Sequence, residues 1–309
     1  MNTRTIGSLR VSEVGVGCNN FGSRLSQEQA SAVIDAAIES GVNFFDTADT
    51  YGATQSEVFL GHALSGRRDQ VVVATKFGMP IDDTHFGGKP DYVRSACENS
   101  LRRLNTDYID LYQLHYPDDT TPIAETLGAL DELVAAGKVR EIGCSNFSAE
   151  QLRAAKAAAG TGAAFVSVQN QYSLLERTPE SDGVLLTCDE LGIGFLPFYP
   201  LANGLLTGKV RPGEPIPEGT RLANMPPERS AHWLSEQLRV RVNSLLEYAD
   251  ATNTSILTFA FSWLLRHPEV ASVIAGASSP DQVRANAHAS SGISDNQFNE
   301  LNRLSDAET

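Results

Sequence analysis

Short apolar runs alternate with amphipathic stretches from one end of this chain to the other. Runs at 14–17, 42–45, 71–75, 108–114, 139–144, 165–168, 194–197 and 270–275 read as strands. They are continuously apolar rather than alternating, the pattern of parallel strands covered on both faces. Helical stretches lie between them. In 27–40, Ala30, Val33, Ile34, Ala37 and Ile38 recur at three- and four-residue spacing, Ser26 can cap the start and Gly41 follows the end. The same reasoning places helices over 57–64, 92–104, 123–136, 149–159, 183–191, 235–252, 255–266 and 280–289. A short hairpin is expected over 5–11 and an outer helix over 295–304. Eight strands, each followed by a helix, predict an α/β fold: a single (β/α)8 TIM barrel occupying 1–309. The Gly/Pro-rich stretch 201–227, after the seventh strand, is too long for an ordinary connection and is expected to cover a functional site.

The 309 residues are 41% hydrophobic and 20% charged, enough to bury a large core, and the formal net charge is −14. That acidic balance argues against a nucleic-acid partner, which needs a dense basic patch. It leaves room for one bound nucleotide. Cys18, Cys97, Cys144 and Cys188 form neither a CxxC pair nor a Cys/His ligand cluster. They are expected as reduced thiols in a cytoplasmic protein, with no metal site. The first residues carry no apolar run of the signal-peptide kind, and no stretch approaches a membrane span. Nothing in the pattern speaks to oligomeric state.

Chemistry concentrates where the strands end. The second ends at Asp46, the third is followed by Lys76 and the fourth by His115, while Tyr51 stands five residues past Asp46. In a parallel barrel these ends share one rim, the face where functional groups gather. Each residue alone has an ordinary reading: a turn acid, a solvated lysine, a hydrogen-bonded histidine, a turn tyrosine. Together they suit proton transfer. An ammonium near a phenol favours the phenolate and is expected to lower its pKa, and Asp46 can hold Lys76 in place. His115 can donate to a carbonyl oxygen. A tuned phenol can then protonate an oxygen as charge develops on it. Such a site lacks an electron source, which a nicotinamide would supply. Asp110 should face away from His115, as a buried structural acid. A competing dinucleotide fingerprint, Gly15-Val16-Gly17 with Gly22, has the wrong spacing, and its helix opens only after Ser26.

Asp-Thr-Ala-x-x-Tyr-Gly at 46–52, Lys76, Leu-His-Tyr-Pro-Asp at 114–118 and Gly-Cys-Ser-Asn-Phe at 143–147 stand in one order along the chain. In these motifs the sequence resembles the aldo-keto reductase superfamily over essentially its whole length. The resemblance implies an NAD(P)H-linked barrel reductase with Tyr51 as general acid, Lys76 and Asp46 as its tuning pair, and His115 as the group that orients substrate. It also implies a nicotinamide grip from Ser145, Asn146 and Gln169. By register Phe198 takes the ring-stacking place, with Tyr199 as a substitute. Leu201, Gly204, Leu205 and Lys209 fall where the family wraps the pyrophosphate. Gly276, Ser278, Gln282 and Asn286, with Arg221 from the long loop, fall at the adenosine end. Gly276 and Gln282 stand where many relatives carry Lys and Arg, so this chain is similar to the bacterial and potassium-channel-β-subunit branch. NADPH is expected as cofactor ahead of NADH.

Phe21, Phe77 and Tyr116 are expected to wall the substrate pocket, together with Tyr51 and parts of the loops 78–90, 201–235 and 290–309. No obvious cluster of Arg and Lys marks a phosphate or carboxylate pocket, so the expected substrate is a neutral aldehyde, ketone or sugar-like carbonyl, or the matching alcohol. Two other classes stay open. One is an NADP(H)-sensing regulatory subunit with slow turnover. The other is a hydrolase, which needs two facing carboxylates such as Asp46 and Asp49.

Overall fold

The computed structural model describes residues 1–211 and 213–306. A hairpin of β1 (Thr3–Ile6) and β2 (Leu9–Ser12) precedes eight parallel strands: β3 (Val14–Gly17), β4 (Phe44–Asp46), β5 (Val72–Phe77), β6 (Ile109–Leu114), β7 (Val139–Ser145), β8 (Phe165–Gln171), β9 (Gly194–Phe198) and β10 (Val273–Gly276). Around them stand α1 (Gln27–Glu39), α2 (Gln55–Ala63), α3 (Pro90–Leu104), α4 (Ile123–Ala135), α5 (Ala149–Ala159) and α7 (Val184–Leu191), with the short α6 (Thr178–Ser181) before α7. The C-terminal third adds α8 (Pro227–Trp233), α9 (Glu236–Ala251), α10 (Ile256–Leu265), α11 (Pro280–His288) and α12 (Asp295–Ser305).

The sheet runs in the order β10-β3-β4-β5-β6-β7-β8-β9. It closes where the Phe195 amide donates to the Glu269 carbonyl (2.7 Å) and the Ala271 amide donates to the Phe195 carbonyl (2.9 Å). This explains one difference from the sequence reading. The last apolar run begins at 270, but its first residues are spent on closure and β10 starts only at Val273. The barrel is the TIM-type fold expected. The unforeseen α6 and α8 have only 4 and 7 residues and too few turns to show a period.

Strand alternation sorts the core into two layers. Phe44, Val72, Ala74, Leu111, Leu196 and Ile274 point into the barrel, where Ile6, Leu9 and Val11 of the hairpin join them. Phe45, Val73, Tyr112, Phe195 and Val273 point outward into the layer shared with the helices. The hairpin lies at the amino ends of the strands: the Ser12 amide donates to Asn43 Oδ1 (2.7 Å) just before β4, and the Ser8 amide donates to Glu141 Oε1 (2.7 Å) on β7. It plugs the bottom of the barrel and leaves the carboxyl ends free to build a site. Asp110 faces outward and is fully buried, held by Arg68 (2.6 Å), Arg140 (2.9 Å) and the Val73 amide (2.9 Å). It is the structural acid anticipated.

Candidate active site

Asp46, Lys76, Gln113 and His115 lie on inward positions at or just past the carboxyl ends of β4, β5 and β6. The Lys76 Nζ donates to Asp46 Oδ2 (2.6 Å) and to the Thr47 carbonyl (2.9 Å). Asp46 Oδ1 accepts from Gln113 Nε2 (3.2 Å) and Gln169 Nε2 (2.9 Å). The pair is sealed, with side-chain exposures of 0% for Lys76 and 4% for Asp46. Taking two charges out of water is costly, and the added hydrogen bonds offset part of that cost. Gln113 was not foreseen. Its signal is its place two residues before His115, on the same face of β6.

Tyr51 reaches this pair because the chain leaving β4 stays on the sheet before it turns. The Thr47 amide donates to the Ala74 carbonyl (2.8 Å) and the Asp49 amide to the Lys76 carbonyl (3.0 Å). Gly52 then takes φ +57°, and a Cβ there would stand 2.3 Å from the Phe21 carbonyl oxygen. Only glycine lets the turn pack so closely against the β3–α1 connection. The Lys76 ammonium lies 5.2 Å from the centre of the Tyr51 ring, and His115 meets that ring edge-on at 5.8 Å.

The electrostatics depart from the expectation in one respect. Lys76 does pull the Tyr51 pKa down, but burial of the phenol is the larger effect and Asp46 adds to it, so the net shift is upward. Burial works against the Lys76 charge, yet Asp46 and then Tyr51 more than compensate, and its pKa rises. His115 is pushed down to about 3, by burial first and by Lys76 second. At neutral pH the three groups are a protonated phenol, an ammonium and a neutral imidazole. That is the protonation state of a site ready to donate a proton.

These groups open into a cleft of about 1360 Å3. Asp46, Tyr51, His115, Tyr116, Ser145, Asn146, Gln169 and Phe198 line it at the barrel mouth. It continues past Leu201, Gly204, Lys209 and Arg221 to Gly276, Ser278, Gln282 and Asn286. Ser145 Oγ donates to the Gln169 carbonyl (2.7 Å), and Asn146 Nδ2 donates to the His115 carbonyl (3.0 Å) and to Ser145 Oγ (3.1 Å). Arg221 reaches back over the mouth, its Nη2 donating to the Tyr199 hydroxyl (3.2 Å) and its guanidinium 4.9 Å from the Tyr199 ring centre. Phe198 and Tyr199 both line the cleft, their rings 5.2 Å apart and edge to face.

Three expected residues sit elsewhere. Phe77 follows Lys76 on β5, so alternation turns it outward, where it stacks on Tyr112 at 4.6 Å and is fully buried. Phe21 is also fully buried in the outer core, and its backbone rather than its ring faces the Tyr51 turn. Leu205 packs into that core too, unlike its neighbour Gly204. Of the four aromatic residues expected around substrate, Tyr51 and Tyr116 face the cleft, Tyr116 half-exposed and stacked on His115 at 5.5 Å. Among the described residues, those of 78–90 and of 290–306 do not line the cleft. Asp49 is fully buried and also absent from its walls, so Asp46 and Asp49 do not form the pair of facing carboxylates a hydrolase needs. Asn19, Asn20, Arg24 and Asn203 line the cleft without having been foreseen.

The chain matches the Aldo/keto reductase family over residues 13–306. It belongs to that family. It is 36% identical over 270 residues to a probable aldo-keto reductase 1 of Glycine max, covering 84% of this chain and 75% of the relative. It is 36% identical over 286 residues to the aldo-keto reductase YhdN of Bacillus subtilis, covering 90% and 84%. Among solved structures, aldo-keto reductase AKR11C1 from Bacillus halodurans, in its holo form, superposes with a TM-score of 0.80 at 32% identity over 99% of this chain and 97% of that one. The thermostable aldo-keto reductase Tm1743, solved with the inhibitor epalrestat, gives 0.79 at 26% identity over 98% and 100%. The chain is thus an NAD(P)H-dependent oxidoreductase of carbonyl groups.

The cleft fits a nicotinamide cofactor. Asn203 Oδ1 is buried on its wall without a partner among the described residues, ready to accept a hydrogen bond, and the space beside Gly204, at φ +104°, is open. Ser145, Asn146 and Gln169 form a polar shelf at the catalytic end, and Ser278, Gln282 and Asn286 form another at α11.

Proposed function

We propose that this aldo-keto reductase reduces a small neutral aldehyde, ketone or sugar-like carbonyl with NADPH, and that Tyr51 supplies the proton. The observation carrying this reading is the sealed Asp46–Lys76 pair beneath a protonated Tyr51 at the mouth of a dinucleotide-sized cleft. The nicotinamide, when bound, supplies hydride to the carbonyl carbon. As charge builds on the carbonyl oxygen, the Tyr51 hydroxyl gives up its proton to it. Lys76, fixed by Asp46, stabilises the phenolate left behind. His115 stays neutral and orients the same oxygen through a ring N–H. Tyr116, stacked on His115, offers an aromatic wall suited to an uncharged substrate.

A panel of aldehydes, ketones and sugars assayed with NADPH and NADH tests the reading. Steady NADPH oxidation is expected, and Tyr51→Phe should reduce kcat by about 10^2- to 10^4-fold while NADPH still binds. Undiminished turnover in that variant overturns the role of Tyr51. Tight NADPH binding without turnover across the panel favours the redox-sensing alternative instead.

A further inference from the structure

The adenosine end of the cleft has a wall that no family motif in this chain assigns. The β3–α1 turn folds over the start of α11. The amides of Ser23, Arg24 and Leu25 all donate to the Asn20 carbonyl, at 3.3, 2.9 and 3.0 Å, so one oxygen gathers the turn into a compact loop. Asn20 Nδ2 then crosses to the Ala277 carbonyl (3.2 Å), one residue before Ser278. Gly276 lies beneath, and a Cβ there would approach Asn19 Oδ1 at 3.3 Å and Asn20 Nδ2 at 3.6 Å. The turn therefore occupies the space into which a side chain at 276 would grow.

This arrangement sets where positive charge can come from. Gly276 offers none, and Gln282 is neutral and accepts from the Ser278 hydroxyl (3.2 Å) and amide (3.0 Å). Among the described residues, the Arg and Lys side chains lining the cleft are Arg24, Lys209 and Arg221. Arg221 is engaged with Tyr199. Lys209 follows the turn that begins at Leu201, along the course of the loop after β9. Arg24 is exposed, lines the cleft, and has no ion-pair or side-chain hydrogen-bond partner among the described residues. We propose that Arg24 binds the 2′-phosphate of NADPH from the β3–α1 turn, opposite Ser278 and the first turn of α11. A guanidinium presents paired donors that match a phosphate monoester, and the amino end of α11 adds its own preference for negative charge.

The proposal rests on the NADPH reading, and the test separates the two. Wild type, Arg24→Gln and Lys209→Gln are compared by KM for NADPH and NADH, and by the affinities of 2′,5′-ADP and 5′-AMP. Arg24→Gln should raise KM for NADPH by about 10- to 100-fold, the loss of a charged hydrogen-bonding group, and remove the advantage of 2′,5′-ADP over 5′-AMP. KM for NADH should not follow. Lys209→Gln, removing a charge directed to the pyrophosphate, should weaken both cofactors. A wild-type preference for NADPH that survives Arg24→Gln overturns the role of Arg24 and leaves the cofactor reading standing. An equal loss for both cofactors in Arg24→Gln assigns it to the pyrophosphate or adenine and also overturns the proposal. A wild-type enzyme with no preference for the 2′-phosphate overturns the cofactor reading, and Arg24 with it.

Discussion

Asp49 stands two residues before Tyr51, fully buried, with neither carboxylate oxygen in a hydrogen bond of good geometry among the described residues. Burial, and then the charge of Glu57, raises its pKa to about 7, against the opposing pull of Arg103, the neighbouring Thr50 amide and Lys76. In the unfolded chain the same group ionises near its ordinary value of about 4. Between these two pH values the unfolded state has lost the proton and the native state still holds it, so stability falls as pH rises through that window. The loss approaches roughly 4 kcal/mol by neutral pH and is complete above the folded pKa. His115 acts in the opposite direction. Its native pKa of about 3 lies below its ordinary value, so it adds stability as pH rises from about 3 to about 6.5. Comparing Asp49→Asn with the parent isolates the acid. Urea denaturation should show the variant gaining on the parent steadily from about pH 4 to pH 7 and holding a constant lead above. A difference independent of pH would show that Asp49 is ionised in the native protein.

At the scale of elements, the loop after β9 buries Leu205, Leu206, Val210 and Leu222 in the outer core, and it reaches the barrel mouth through Arg221 on Tyr199. Tyr199 holds a left-handed backbone (φ 52°), which turns its ring over the cleft at the end of β9. A cation–π contact and a hydrogen bond together contribute on the order of 1–3 kcal/mol. Arg221→Ala should therefore release NADPH about tenfold faster, and Tyr199→Phe, which keeps the ring, should do so less. Stopped-flow displacement measures this directly, and an unchanged rate in Arg221→Ala would show that the loop does not hold the cofactor. The position of this loop was legible in its length and its glycines and prolines, but the contact that anchors it was not, because nothing local couples residues 199 and 221. The same distinction runs through the site. Asp46, Lys76 and His115 could be placed because each ends an apolar run, and the run marks the strand. Phe77 and Phe21 were misplaced because hydrophobicity marks burial without saying on which side of the strand. Gln113 was missed for the converse reason: a polar residue inside an apolar run looks like noise until the direction of His115 is fixed, after which alternation demands that it face the barrel. The fall in the Tyr51 pKa was expected from one neighbour, whereas burial, a sum over the whole surrounding fold, decided the sign.

At the scale of the molecule, the bottom of the barrel and its mouth do different work, and Arg4 shows the division. From the hairpin strand β1, its guanidinium donates to the carbonyls of Leu265 (2.6 Å), His267 (3.2 Å) and Val270 (2.7 Å), with Glu13 paired to its Nε at 3.1 Å. Those carbonyls belong to the end of α10 and its connection to β10, the stretch whose next residues bond Phe195 and close the ring. One side chain thus joins the first strand of the chain to the last segment needed for closure. Among the described residues, none of the hairpin lines the cleft, and the hairpin fills the barrel between Arg4 and the catalytic groups. Truncating Arg4 takes the guanidinium from three carbonyls, of which that of His267 keeps the Val270 amide (3.1 Å), and leaves Glu13 without its partner, a loss of about 3 kcal/mol after water regains part of it. Arg4→Ala should therefore unfold at a lower urea concentration by that amount, while kcat/KM measured well below its transition matches the parent. Arg4→Lys should recover only part of the stability, because one ammonium cannot span the carbonyls a guanidinium reaches. A fall in kcat/KM with stability intact would mean that the closure bonds transmit strain to the mouth, and that the two ends of this barrel are not separate.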